Sequence, residues 1–188
     1  QEALVLAFPL ILSAGSWTLQ HFVDRMFLSW WDVRAMGASL AAGIVQFTIV
    51  SFFMGTASYT NTFVAQYQGA DRPERIGPSV WQSIYFSLAS FLVFLAMVPL
   101  ASPLFHFFGH DPALRDMEIS YFQIMLIGSG FSIYSSAISG FYSGRGRTWP
   151  VLWVNFGGTL VNIVLDYAMI FGHWGFPEMG IRGAAWAT

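Results

Sequence analysis

The sequence predicts an all-α, polytopic transmembrane helix bundle, and three observations predict it. Only 10% of the 188 residues are charged, against about 25% in an ordinary soluble domain. The apolar residues come in successive runs of the ~20 residues that a helix needs to cross a hydrocarbon core of about 30 Å. Between the runs lie short connectors rich in Gly and Pro, the residues that stop helices and form turns.

Five spans are expected, at roughly 3–30, 38–67, 78–107, 117–143 and 149–172, with a sixth starting near Arg182, so that residues 1–188 form a single transmembrane domain. The first reaches apolar residues at Ala3 without a basic region or cleavage site, so a signal peptide is not expected. The second is unusually polar, with Gln46, Thr48, Ser51, Thr56, Ser58, Thr60, Asn61 and Thr62, and either lines an aqueous cavity or packs closely on other helices. The third runs to Phe107, and the fourth stops at the basic turn Gly144-Arg-Gly-Arg147. The fifth stops at Gly172-His-Trp-Gly-Phe-Pro177. The last residues, Arg182-Gly-Ala-Ala-Trp-Ala-Thr188, read as the opening of a further helix, and the chain is expected to be a fragment.

Arginine sets the expected orientation. The second connector holds Arg72 and Arg75 and the fourth holds Arg145 and Arg147, while the others hold Arg34, Arg115 and Arg182 singly. The positive-inside tendency then puts the even connectors and the amino terminus in the cytoplasm of a multi-pass inner (plasma) membrane protein. Trp30, Trp31, Trp81, Trp149 and Trp174 fall near the span ends, where amphipathic rings favour the headgroup region.

Composition also excludes function classes. A net charge of −2 and the absence of Lys predict no nucleic-acid partner. Zero Cys excludes disulfides, thiolate metal sites and a cysteine nucleophile. No GxSxG, HExxH or Walker pattern is present, so neither an enzyme nor a cofactor is expected. His106 and His110 share a metal-compatible i, i+4 spacing but lack a third ligand, and no metal is expected there.

Polar residues at membrane depth carry the functional expectation. Asp24 lies inside the first span beside Gln20, His21 and Arg25, where a carboxylate costs about 2.5–3.5 kcal/mol unless it faces protein or water. Ser13, Ser16, Gln20 and Asp24 share one helix face, and Asn155, Thr159, Asn162 and Asp166 share one face of the fifth span. Both Asn residues can be read as interhelical hydrogen-bond glue. Asp166 is harder to read that way, because glue needs no carboxylate and the fifth span has no Lys or Arg to neutralise it. A bound cation or proton is the economical partner. Gln20, Gln46, Asn155 and Thr159 are candidate cavity-lining residues.

Several segments together resemble the multidrug and toxic compound extrusion (MATE) family over essentially the whole chain. They are Pro9 followed by Asp24, Phe63-Val-Ala-Gln-Tyr-Gln-Gly-Ala70, Gly140 through Pro150, Asn162-Ile-Val-Leu-Asp166 and Gly180-Ile-Arg-Gly-Ala-Ala-Trp-Ala-Thr188. The resemblance implies one lobe of a twelve-helix, two-lobe transporter that exports drugs or other organic, cationic or amphipathic compounds in exchange for sodium or protons. It implies that Asp24, Asn162, Asp166 and Thr188 form the coupling site, with sodium as the only metal ion to consider. Thr188 enters through the resemblance alone. Membrane lipid and the remaining lobe of the same polypeptide are the implied partners. Arg25 departs from the pattern, which favours a small or apolar residue there. The alternatives are a lipid or oligosaccharide-lipid flippase of the same wider superfamily and a membrane-embedded enzyme using His21 and Asp24.

Overall fold

A computed structural model describes residues 2–188, with side-chain environments from residue 7 onward. Gln1 and the side chains of the first turn lie outside the described residues.

The helices are α1 (Glu2–Trp31), α2 (Val33–Gly69), α3 (Ile76–Met97), α4 (Ala101–Phe107), α5 (Pro112–Gly144), α6 (Thr148–Phe171) and α7 (Ile181–Ala187). Among the described residues, Val33–Gly69, Pro73–Phe107, Pro112–Gly144 and Thr148–Phe171 are long and apolar enough to cross a membrane. The 30-residue α1 has the length too, while Gln20, His21, Asp24 and Arg25 interrupt its apolar run.

Two boundaries differ from the sequence expectation for a physical reason. Asp32 and Asp111 are N-caps whose carboxylates accept the Arg34 and Ala113 amides at 2.8 and 3.0 Å, so α2 and α5 start several residues before their apolar runs. The expected single helix over 78–107 is broken by a 3-10 turn at Val98–Leu100, where Pro99 lacks the N–H that an α-helix would use. Hydrogen bonds from the Arg34 side chain and amide hold the Asp32 carboxyl below the usual carboxylate range. Its cap is therefore fully present above the unfolded-state value and is lost as pH falls through the lowered folded one.

The packing core is a parallel pair, α2 against α5. On α2 the buried residues Ala35, Ala38, Ala42, Val50, Ala57, Thr60 and Val64 recur every three, four or seven to eight positions. On α5 Phe122, Leu126, Gly130, Ile133, Ala137 and Gly140 recur every three or four. Small residues let the backbones approach closely, as membrane helices require where lipid is as apolar as Leu. A Cβ on Gly144 would lie 2.7 Å from the Asn61 carbonyl oxygen and 2.8 Å from the Val64 side chain. Gly144→Ala should therefore part the two helices and cost about 1–3 kcal/mol, read as a lowered thermal midpoint in detergent.

Outward faces are apolar, with Phe52, Leu88, Leu92, Phe131, Trp153 and Val154 exposed. α3 lies on α5, where Gly130 admits the Phe91 ring. The second parallel pair, α1 with α6, is closed by α7, whose Gly183 sits against the Met169 carbonyl.

Candidate functional site

Helix geometry brings the two polar stripes level. Ser13 and Asp24 are 24 − 13 = 11 residues apart, and Asn155 and Asp166 are 166 − 155 = 11 apart. On two parallel helices of equal rise, one matched pair therefore aligns the next. Asn155 donates to the Ser13 hydroxyl, and Thr159 donates to Gln20 Oε1 at 3.5 Å. Further along, the Asp24 and Asp166 carboxyls are near enough to interact with one another.

α7 supplies the third wall. Asn162 Nδ2 donates to Thr188 Oγ1 at 3.4 Å, and the Thr188 hydroxyl stands 3.4 Å from Asp24 Oδ2 and 3.0 Å from the Ala184 carbonyl. Asp24, Asn162 and Asp166 are buried, Asp166 completely, whereas Thr188 is exposed. The structure thus brings together Asp24, Asn162, Asp166 and Thr188, with Gln20 and Thr159 one layer away.

The polar accounting at this point does not close. Asp24 Oδ1, Asn162 Oδ1 and both carboxylate oxygens of Asp166 are buried without a hydrogen-bond partner. Ionised carboxylates and amide oxygens are all acceptors, so none can satisfy another. A single proton would let the two carboxyls bond, and a small cation would be met by oxygens alone, the ligands hard cations prefer.

The surrounding charge is modest. His21 Nδ1 is 3.9 Å from Asp24 Oδ2 and packs edge-on to Trp17. Arg25 is exposed and forms no ion pair among the described residues, so the neighbour that departs from the family pattern does not neutralise Asp24.

Other expected residues are placed elsewhere. Gln46 donates to Ser129 Oγ at 2.8 Å, a link between α2 and α5 away from the carboxyls. Asn155 is exposed and engaged with Ser13. The hydroxyls of Thr48, Ser51, Thr56 and Ser58 bond to carbonyls of the preceding turn of α2. His106 Nδ1 bonds with the Ser102 carbonyl at 2.7 Å and His110 Nδ1 with Glu118 at 2.8 Å, so the two histidines face different partners.

Two residues escaped the sequence reading. Tyr121 of α5 is buried within electrostatic reach of both carboxyls. Its spacing resembles that of any core aromatic, and no sequence signal distinguishes it. Glu118 is fully buried with His110 as its partner. Its signal was available: a Glu at the start of the expected fourth span, eight residues after a His.

Comparison with known proteins agrees with this architecture. The MatE family model matches residues 9–168. The multidrug resistance protein MdtK of Klebsiella pneumoniae is 31% identical over 191 residues, covering 100% of this chain and 41% of its own length. A MOP superfamily transporter from Pyrococcus furiosus superposes with a TM-score of 0.87 at 22% identity, over 100% of this chain and 41% of that one. An outward-facing multidrug resistance MATE family transporter gives the same TM-score, identity and coverage, and at this identity both show the fold alone. The chain spans about two fifths of the length of these relatives. With most of its length inside the family match, the chain belongs to the MatE family, whose members are transporters and not enzymes.

Proposed function

We propose that this chain is the first lobe of a secondary antiporter that exports drugs or other organic cations in exchange for sodium or protons, with Asp24, Asn162, Asp166 and Thr188 as the coupling site. The observation that carries this reading is the set of four buried, partnerless oxygens shared by Asp24, Asn162 and Asp166 where α1, α6 and α7 meet. Two carboxyl groups so close and so dry require a neutralising proton or cation.

Neutralisation changes which arrangement of α1 is favoured. With the pair charged, α1 and α6 repel at Asp24 and Asp166. With the charge cancelled, they can close. A coupling ion shifts a conformational equilibrium only through such a difference in affinity between its states. Pro9, inside α1, removes one backbone hydrogen bond and gives the helix a place to bend. The Arg distribution supports an amino terminus in the cytoplasm of an inner membrane, and a second lobe of the same polypeptide would complete the substrate path.

The test is efflux of a fluorescent organic cation from proteoliposomes of the full-length protein, under an imposed sodium or pH gradient. Efflux driven by one gradient supports the antiporter and identifies its ion; efflux indifferent to both would sink it. Thr188→Val should have a graded effect, because its hydroxyl reaches Asp24 and Asn162 only at 3.4 Å. We expect driven efflux to fall by about three- to tenfold, with half-saturation moved to a higher concentration of the coupling ion.

A further inference from the structure

We propose that the turns between α2 and α3 and between α5 and α6 form one basic face that binds the phosphodiester headgroups of anionic phospholipids. This inference is independent of the transport reading.

Both turns lie at one end of the bundle, because α2 and α5 run parallel and stay in register. Gln46 meets Ser129 midway and Asn61 meets Gly144 near the end, with 61 − 46 = 15 and 144 − 129 = 15 residues between the contacts. The face carries Arg72, Arg75, Arg145 and Arg147, all exposed. Among the described residues none of these four side chains makes an ion pair or a hydrogen bond, and Asp71 and Glu74 are the acidic residues in these turns. Arg145 lies over the Phe141 ring at 5.2 Å, which holds its guanidinium at the bundle surface.

The opposite end is built the other way. There α2 and α5 start on Asp32 and Asp111, whose carboxylates cap the helices, and Arg34 pairs with Asp32 at 3.1 Å. At the basic end the helical segments start on Arg72 and Arg147, neither of which caps with its side chain. The free N–H groups in the first turn of α6 add partial positive charge beside Arg147 but do not carry the argument alone.

The chemistry selects a phosphate lying in the plane of a membrane. Guanidinium forks match phosphate oxygens, and every basic residue in the chain is Arg. Trp81 and Trp149 stand exposed within the first turns after the two arginine pairs, the level at which indole rings favour the headgroup region. A free anion would need the arginines and gain nothing from this aromatic rim, whereas a lipid uses both.

The test is native mass spectrometry of the full-length protein released from bilayers with equal phosphatidylglycerol and phosphatidylcholine. Wild type should retain phosphatidylglycerol preferentially, by about fivefold or more, with the preference weakening as salt is raised. Arg72→Gln/Arg147→Gln and Arg75→Gln/Arg145→Gln should each remove most of the preference, while Arg182→Gln at the other end should leave it intact. Equal retention of both lipids by wild type, or an unchanged preference in both double variants, would overturn the proposal. So would displacement of phosphatidylglycerol by millimolar inorganic phosphate, which would assign the face to a free anion.

Discussion

Asp166→Asn should bring gradient-driven efflux to background, a loss on the order of 100-fold, while leaving the folded protein intact. The substitution keeps the shape of a side chain that is completely buried, so packing is preserved. It removes the charge that a proton or cation would neutralise, and the amide it introduces can donate to Asp24. The pair then needs no coupling ion, and α1 and α6 should stay in the closed arrangement whatever the gradient. Asp24→Asn should have a similar effect with some residual transport, because Asp24 already has Thr188 as a partner while neither Asp166 oxygen has one. Substrate binding without a gradient should survive in both variants, which separates loss of coupling from loss of the protein. Wild-type-like driven efflux in either variant would remove that carboxylate from the coupling site.

How much of this was legible beforehand depended on whether a feature was periodic or relational. Helix existence and the polar stripes were periodic. The three- and four-residue spacings of Asn155, Thr159, Asn162 and Asp166 announce one face of α6 without knowledge of its neighbours. That this face meets the Ser13, Gln20 and Asp24 face of α1 is relational and rests on α1 and α6 running parallel. The sequence reading found the two stripes separately, and it was the family resemblance that joined Asp24, Asn162 and Asp166 to one another and to Thr188, since a lone hydroxyl carries no local signal. Helix starts were misread where Asp32 and Asp111 cap ahead of the apolar run, because apolar length locates the middle of a span better than its edge. The polarity of α2 was weighed as a cavity signal, but hydroxyls such as those of Thr48 and Thr56 bond to their own helix.

The largest stability effect should come from His110→Ala, at the end of the bundle opposite the basic face. Glu118 is 0% exposed, and His110 Nδ1 contacts its two oxygens at 2.8 and 3.0 Å. Breaking a buried pair by removing one partner costs about 3–5 kcal/mol, since it leaves the other group desolvated and uncompensated. The value here should sit near the lower figure, because the His110 side chain is 40% exposed and its loss admits water to the carboxylate. The same contact ties the turn between α4 and α5 to the first turns of α5, so its loss should also loosen that turn in hydrogen exchange. Glu118→Gln should cost less, as a neutral amide is cheaper to leave dry, and the two changes together should cost less than their sum. A double-mutant cycle on the thermal midpoint of the full-length protein checks this. Additive losses would mean that the two side chains touch without depending on each other, and an unchanged midpoint in His110→Ala would mean that Glu118 draws its stabilisation from another source.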